Sequence, residues 1–307
     1  MIDVFNVPNL GVYNKFFFAN SGSWETWNKP SGIKFVYFYV IGSGGAGGGG
    51  RTGSINTGGG GGGGGSSSIS VGVFPAFLIP DTLYIQVGAG QNGAVANTGA
   101  SSGVLSYVSI QPNTTTLNIL MQSGNVSAGG GGGGTSSLAG ASGSLGTAWT
   151  FTNFPLAQCG IVSSINGQAG GTGGTTSSAG VSVTPILPIT GGAGGGGESS
   201  NLSSFVGGNI IGSGIFPTIS GGTNNSATLS NGIAGYQATM PTTESFLSEP
   251  LFFTGGSGGG ASNSAINGGT GGNGSFGSGG GGGGASYSGT GGSGGRGGDG
   301  LILITCW

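Results

Sequence analysis

Short apolar runs alternate with long glycine-rich stretches along the whole chain. The apolar runs are rich in β-branched and aromatic residues and end at glycines, which is typical of β-strands. The predicted strands are residues 34–41, 82–87, 104–110, 117–121 and 301–305. No segment shows the period of an amphipathic helix, and each Gly disfavours a helix by about 1 kcal/mol relative to Ala. The pattern therefore predicts an all-β, non-helical fold.

The glycine-rich stretches are the second predicted element. Ordered glycine can form extended left-handed helices with three residues per turn and no internal hydrogen bonds. Such helices can pack side by side and exchange backbone hydrogen bonds, because no Cβ atom holds them apart. The main stretches lie at residues 42–50, 58–65, 129–134, 191–197, 255–260 and 268–300.

These helices need an anchor. Ordering one backbone residue costs about 1–2 kcal/mol, whereas one net hydrogen bond returns about 0.5–1.5 kcal/mol. Burial of apolar surface, at about 25 cal/mol per Å², must add the missing stability. We therefore predict an apolar β-sheet base from which stacked polyglycine II helices and long loops project. The last strand, residues 301–305, should lie with the first, residues 34–41, and bring the chain ends together.

Composition and charge exclude several classes of protein and partner. Glycine supplies 81 of 307 residues, as in flexible linkers, but the chain is 35% hydrophobic with a net charge of −2, unlike disordered segments. Five basic residues are too few to neutralise the phosphates of a nucleic acid. No apolar run is long enough to insert into a membrane. The N-terminus lacks the features of a signal peptide, so we expect synthesis in a cytoplasm.

The signatures of catalysis and metal binding are incomplete. Two G-x-S-x-G motifs, at residues 255–259 and 291–295, lack a base because the chain has no His, and a serine nucleophile needs one. A G-x-G-x-x-G motif at residues 42–47 is followed by more glycine rather than the helix of a dinucleotide site. Glu244 and Glu249 are the best candidates for the carboxylate pair of a glycosidase. The favoured interpretation is that they are solvated surface charges. We expect a non-enzymatic protein without cofactor or metal.

Motifs at the two ends of the chain carry a resemblance to a known family. The sequence Trp-Asn-Lys-Pro-Ser-Gly at residues 27–32 precedes the first strong strand, and Gly-Asp-Gly at residues 298–300 leads into the last. This order resembles the glycine-rich domains of bacteriophage virion proteins, and is similar to the polyglycine-helix adhesins of tail-fibre tips. The resemblance spans residues 24–307. It implies a virion protein made in the host cytoplasm, whose function is to bind a host cell-surface receptor.

Two other functions remain open at this point. One is a structural virion component such as a capsid fibre, decoration or minor capsid protein. The other is an ice-binding protein resembling glycine-rich antifreeze proteins, which usually have a strict three-residue glycine period. The continuous glycine runs of this chain disfavour that second alternative.

Two long segments, residues 138–168 and 201–254, contain less glycine than the rest. Loops on a rigid scaffold are frequent binding elements, and aromatic residues are enriched in hot spots. We expect these segments to contact a host-surface glycan or outer-membrane protein, or else to cap the glycine layer and pack against neighbours. The candidate receptor-binding residues are Trp149, Phe151, Phe154, Phe205, Phe216, Tyr236, Phe246 and Phe252.

The first 23 residues differ from the rest in having aromatic residues and hardly any glycine. We expect residues 1–23 to form an attachment or oligomerisation segment, separate from the glycine-rich domain at residues 24–307. The partner would be another virion protein or sister copies of the chain. The candidate attachment residues are Phe5, Tyr13, Phe16, Phe17 and Phe18.

Overall fold

A computed structural model describes residues 13–20, 22–53, 57–199, 201, 203–214, 216–224, 230–233, 235 and 252–307. Its strands are β1 (Tyr13–Phe18), β2 (Glu25–Asn28), β3 (Phe35–Ile41), β4 (Ile69–Pro75), β5 (Thr82–Gln86), β6 (Tyr107–Ser109), β7 (Ile119–Gln122), β8 (Ile161–Ile165) and β9 (Leu301–Cys306). Single 3-10 turns occur at Ala76–Leu78, Thr116–Asn118, Phe151–Asn153 and Ala157–Cys159. The all-β, non-helical class is therefore confirmed. Among these residues no helix has the length and apolar character needed to cross a bilayer.

The strands form two antiparallel sheets rather than one base. The first sheet has the order β1-β9-β3-β4-β8 and the second has the order β2-β5-β6-β7. β9 pairs with β3 so that Leu301 lies opposite Ile41 and Cys306 lies opposite Val36. The predicted adjacency of the last strand and the first is thus confirmed.

The main core lies where side chains of the two sheets meet. Phe38 and Phe74 of the first sheet are fully buried, as are Leu83 and Ile85 of the second, and all four belong to one apolar cluster. The rings of Phe38 and Phe74 pack edge to face, with centroids 5.7 Å apart. Burial of these large side chains supplies the apolar anchor that the glycine-rich part requires.

The glycine-rich segments hydrogen-bond to one another with a three-residue period. In the segment of residues 44–51, every third amide donates to the same neighbouring segment. The amides of Gly44, Gly47 and Gly50 donate to the carbonyls of Gly298, Gly295 and Gly292 at 2.9, 2.9 and 2.8 Å. The other two sets of amides donate to residues 59–65 and to residues 98–104. A three-residue repeat whose bonds all run between segments is the pattern of polyglycine II helices.

The carbonyls of the same segment accept hydrogen bonds from three further segments. These segments contain residues 94–97, 131–134 and 280–286. Residues 44–51 are therefore surrounded by backbone on all sides. A Cβ atom at Gly47 would lie 1.9 Å from the carbonyl oxygen of Gly281, so only glycine fits there.

Outer helices have a different sequence pattern from interior ones. Residues 170–175 read Gly-Gly-Thr-Gly-Gly-Thr, with Thr172 and Thr175 exposed and three of the four glycines buried. A helix with three residues per turn points every third side chain in the same direction. A surface helix therefore carries one outward side chain per turn, whereas an interior helix such as residues 58–65 is all glycine.

The helices run back and forth between the sheets and a far end of the bundle. Parallel bridges join Thr52 to Ser286 and Ser262 to Ser286, and an antiparallel bridge joins Gly58 to Glu198. The turns that follow these residues therefore lie at the same end, away from the strands. We call this the distal end, and its described turns include residues 52–53, 96–97, 136–138, 175–178, 263–265 and 287–289.

Candidate functional site

Three of the aromatic candidates lie beside the sheets. Trp149 is 3% exposed and belongs to the main core. Its ring packs edge to face on Phe154, with centroids 4.9 Å apart, and lies 5.8 Å from Phe151. Trp149 offers no surface to a receptor because its indole is buried, while Phe151 and Phe154 are partly buried and pack against the main core.

The other described candidates are half-buried on the flank of the bundle. Phe216 and Phe252 pack edge to face with centroids 5.0 Å apart, next to Phe253, which packs in a cluster with Ile41. They are therefore near the sheets. The backbone of Phe205 donates to Gly197 and accepts from Ala261. These residues directly precede Glu198 and Ser262, so Phe205 lies near the distal end. Tyr236 and Phe246, together with Glu244 and Glu249, lie outside the described residues.

Four of the five attachment candidates lie in β1, which pairs with β9 along its whole length. Phe17 is 3% exposed and part of the main core, and Phe16 packs against the second apolar cluster. Tyr13 and Phe18 are exposed. The described part of the attachment segment is thus integral to the first sheet. Phe5 lies outside the described residues.

The distal end is lined by small polar side chains that support its turns. The Ser178 hydroxyl accepts from the amide of Thr175 at 2.9 Å, and the Thr135 hydroxyl accepts from Leu138 at 3.1 Å. Serine and threonine commonly stabilise turns in this way. The apolar side chain of Leu138 is 66% exposed and Tyr287 is half-buried, so this end presents hydroxyls with isolated apolar contacts.

A polar contact joins two of the distal turns. Asn97 adopts a left-handed backbone conformation with φ of 64°, which Asn tolerates better than most residues. Its Oδ1 accepts from the amide of Thr52 at 2.8 Å and from the guanidinium of Arg51 at 3.4 Å. Arg51 thereby brings a positive charge to this end.

Glu198 lies just below the distal turns and is 1% exposed. Its backbone exchanges hydrogen bonds with Gly58 at 2.7 and 3.0 Å, while its Oε1 has no hydrogen-bond partner among the described residues. Burial away from water raises the pKa of this carboxyl to about 7. The raised pKa follows from desolvation, which disfavours the charged form.

The opposite end of the molecule exposes large apolar side chains. We call this surface the proximal patch; its residues are Tyr13, Phe35, Phe77, Leu78 and Trp307. Phe77 is 83% exposed, and the rings of Phe35 and Trp307 lie 6.0 Å apart. The patch contains both ends of the described chain, because Tyr13 is opposite Cys306 in the β1–β9 pair.

A cleft of about 580 Å³ opens beside the proximal patch and includes Phe77 in its wall. The ammonium of Lys29 donates to the carbonyls of Ala76 and Ile79, both at 2.8 Å, and pairs with Asp81 at 3.0 Å. The lysine is therefore engaged in holding the chain at this end. Among the described residues no group of three or more His, Cys, Asp or Glu side chains could hold a metal ion.

No protein-family model matches the sequence, and no curated protein is significantly similar to it.

The distal turns were not recognised as a site from the sequence. Each is a short cluster of Ser, Thr or Asn between glycine runs, such as residues 135–137 and 175–178. Their common location depends on the direction in which each helix runs. The signal that could have found them is the alternation of polar clusters with apolar ones at successive ends of the glycine runs.

Proposed function

We propose that this protein is the tip of a bacteriophage tail fibre and that its distal end contacts a receptor on the host cell. The observation that carries the proposal is the polarity of the molecule. The described distal turns gather at one end, whereas the described chain ends and the proximal patch lie at the other. A rigid bundle with this arrangement can be attached at one end and present adaptable loops at the other.

The chemistry of the two ends supports different partners. Exposed apolar patches on soluble proteins commonly mark interfaces with other proteins, which fits the proximal patch as the attachment to another virion protein. The hydroxyl-rich distal turns fit a host-surface glycan or the polar loops of an outer-membrane protein. The proposed receptor contact is thus the distal turns, which include Leu138 at the start of the predicted segment 138–168, rather than the aromatic residues Trp149, Phe151 and Phe154.

Replacing both Leu138 and Tyr287 by Ser should weaken binding to host cells at least tenfold. Apolar and aromatic side chains at the centre of an interface contribute more than the polar residues around them, and tenfold in affinity corresponds to about 1.4 kcal/mol. Binding of fluorescently labelled protein to host cells gives the measurement. The matched control is Val181→Ser, which removes an exposed apolar side chain from the flank of the bundle. Equal binding by the double variant and the wild type would contradict the proposal.

A substitution in the proximal patch should reduce incorporation into virus particles and leave binding to host cells unchanged. Phe77→Ser removes the most exposed phenylalanine of the patch without touching the core. We expect the purified variant to bind cells as well as the wild type, while particles assembled with it contain at least tenfold less of the protein by immunoblot. Normal incorporation of the variant would show that attachment does not use this patch. Capsid labelling in particle images, with no cell binding, would favour a structural virion component instead.

A further inference from the structure

The second sheet presents one face to the core and the other to solvent. Leu83 and Ile85 of β5 point into the core, so Tyr84 and Gln86 lie on the outer face. Gln86 is opposite Tyr107 of β6. Trp24 lies on the other side of Gln86, because β2 pairs Glu25 with Ile85.

Two aromatic rings lean together across this outer face. The rings of Trp24 and Tyr107 have centroids 6.5 Å apart and planes tilted by 40°, and both side chains are half-buried. Trp27 and Trp149, by contrast, are buried in the core. Tyr107 packs in part against the main core. The exposed parts of the two rings are held in position by strand pairing.

A cleft of about 350 Å³ opens where the second sheet meets the glycine helices. Its lining includes Gln86, which Trp24 and Tyr107 flank on the two neighbouring strands. Gly22, Gln91 and Val104 also line it, and none of its described lining residues is charged. The Gln86 amide donates to the carbonyl of Gly22, and the Gln91 amide donates to Ala89 at 3.2 Å. These bonds fix the two amides and direct their donor groups to the protein. Each amide oxygen can still accept a hydrogen bond from a ligand hydroxyl.

We propose that this cleft binds a neutral sugar residue, with Trp24 and Tyr107 as the stacking surface and Gln86 and Gln91 as acceptors for hydroxyl groups. Small-molecule sites are concave and largely apolar, with a few fixed polar groups, and the cleft has these properties. A pyranose has one face of C–H bonds that packs on aromatic rings, and hydroxyls around its rim that need hydrogen-bond acceptors. The described lining contains no Lys or Arg, and the nearby Arg296 is paired with Asp299. Sialylated or phosphorylated sugars are therefore disfavoured, because no unpaired cation there compensates a negative charge.

This site is separate from the distal end and does not depend on the tail-fibre proposal. The outer face of the second sheet belongs to the base, whereas the distal turns lie beyond the glycine helices. A glycan site here would give the protein a second contact with a carbohydrate-coated surface. Because the two sites lie at different levels of the bundle, the cleft would bind its glycan independently of the distal turns.

The test uses the purified full-length chain with maltotriose, cellotriose, N-acetylchitotriose and 3′-sialyllactose as probes, by saturation-transfer NMR and calorimetry. We expect saturable binding of at least one neutral trisaccharide and none of sialyllactose. Trp24→Ala should weaken that binding at least tenfold, and Trp24→Phe should retain part of it. Trp307→Ala is the matched control, because it removes another exposed tryptophan from the proximal patch.

Failure to bind any neutral trisaccharide, or unchanged binding by a folded Trp24→Ala variant, would overturn the proposal. Equal loss with Trp307→Ala would also overturn it, since that result indicates nonspecific contact with exposed indoles. The Leu138 and Tyr287 double variant separates the two sites. It should lose host-cell binding and keep the affinity for the trisaccharide.

Discussion

Gly47→Ala is expected to lower the melting temperature by more than about 10 °C, or to prevent folding. The new Cβ would lie 1.9 Å from the carbonyl oxygen of Gly281, and backbone cannot rotate away as a side chain can. Overpacking costs about 1–3 kcal/mol and sometimes more. The amide and carbonyl of Gly47 also bond to Gly295 and Ala94, and each buried group left unsatisfied adds about 1–3 kcal/mol.

The size of this effect follows from the arrangement of the helices. A displaced segment normally shifts toward empty space, but residues 44–51 have bonded neighbours on all sides. Movement in any direction therefore breaks a further set of hydrogen bonds. With about 2–4 °C lost per kcal/mol in a domain of about 150–250 residues, a combined cost of about 5 kcal/mol from overpacking and unsatisfied groups gives the expected shift.

Gly99→Ala is the matched control for this prediction. A Cβ atom at Gly99 would have its nearest contact at 3.7 Å, from the carbonyl oxygen of Gly131, and the residue is exposed. Alanine at a compatible position stabilises by about 0.4–1 kcal/mol through the unfolded chain. Thermal unfolding followed by circular dichroism should therefore separate the two variants clearly. Similar melting temperatures would show that the glycine helices tolerate side chains.

The fold class could be predicted from the sequence because the high glycine content and the short apolar runs both disfavour helices and favour strands. β3, β5 and β6 fall within predicted strands, while β7 and β9 each extend one residue past the predicted ends at 121 and 305. β4 was missed because Gly72 interrupts it, and the structure explains that glycine: a Cβ there would lie 2.8 Å from the Met121 sulfur. β8 was missed because its sequence, Ile-Val-Ser-Ser-Ile, is mostly exposed at the sheet edge.

The three-residue period was also present in the sequence but was not recognised. Continuous glycine runs hide this period because they form interior helices, in which no side chain faces solvent. Outer helices show the period openly, for example Gly-Gly-Thr-Gly-Gly-Asn at residues 268–273. The number of neighbours around a helix thus determines how much of the period is visible.

The candidate site could not be predicted because aromatic residues are common both in binding sites and in buried cores. Aromatic residues occur in hot spots, but they also close the ends of a core that sheets alone leave open. Trp149 serves the second purpose, and its sequence context does not distinguish the two. The position of a turn at the distal end depends on the path of every helix before it, which short motifs do not encode.

The second large predicted effect is on the pH dependence of stability and comes from Glu198, a buried carboxyl that forms no ion pair with the described residues. Arg51, in a neighbouring helix, donates its guanidinium to Asn97 instead. The folded protein therefore holds the proton on Glu198 up to a pKa of about 7, against 4.5 when the group is unperturbed. Between these two pH values the folded state binds more protons than the unfolded state, so stability falls as the pH rises.

Glu198→Gln should remove this pH dependence. Wild-type stability from Glu198 is fully present below about pH 4.5 and lost by about pH 7, and the neutral amide has no charge to desolvate. We expect the variant to be more stable by about 1–3 kcal/mol at pH 8, with little difference at pH 4. Urea unfolding at a series of pH values measures the difference, and subtracting the variant from the wild type cancels the other carboxyls. Glu25→Gln, at an exposed position, is the control and should change neither value. A constant difference across this range would show that Glu198 is charged in the folded protein and compensated by a partner.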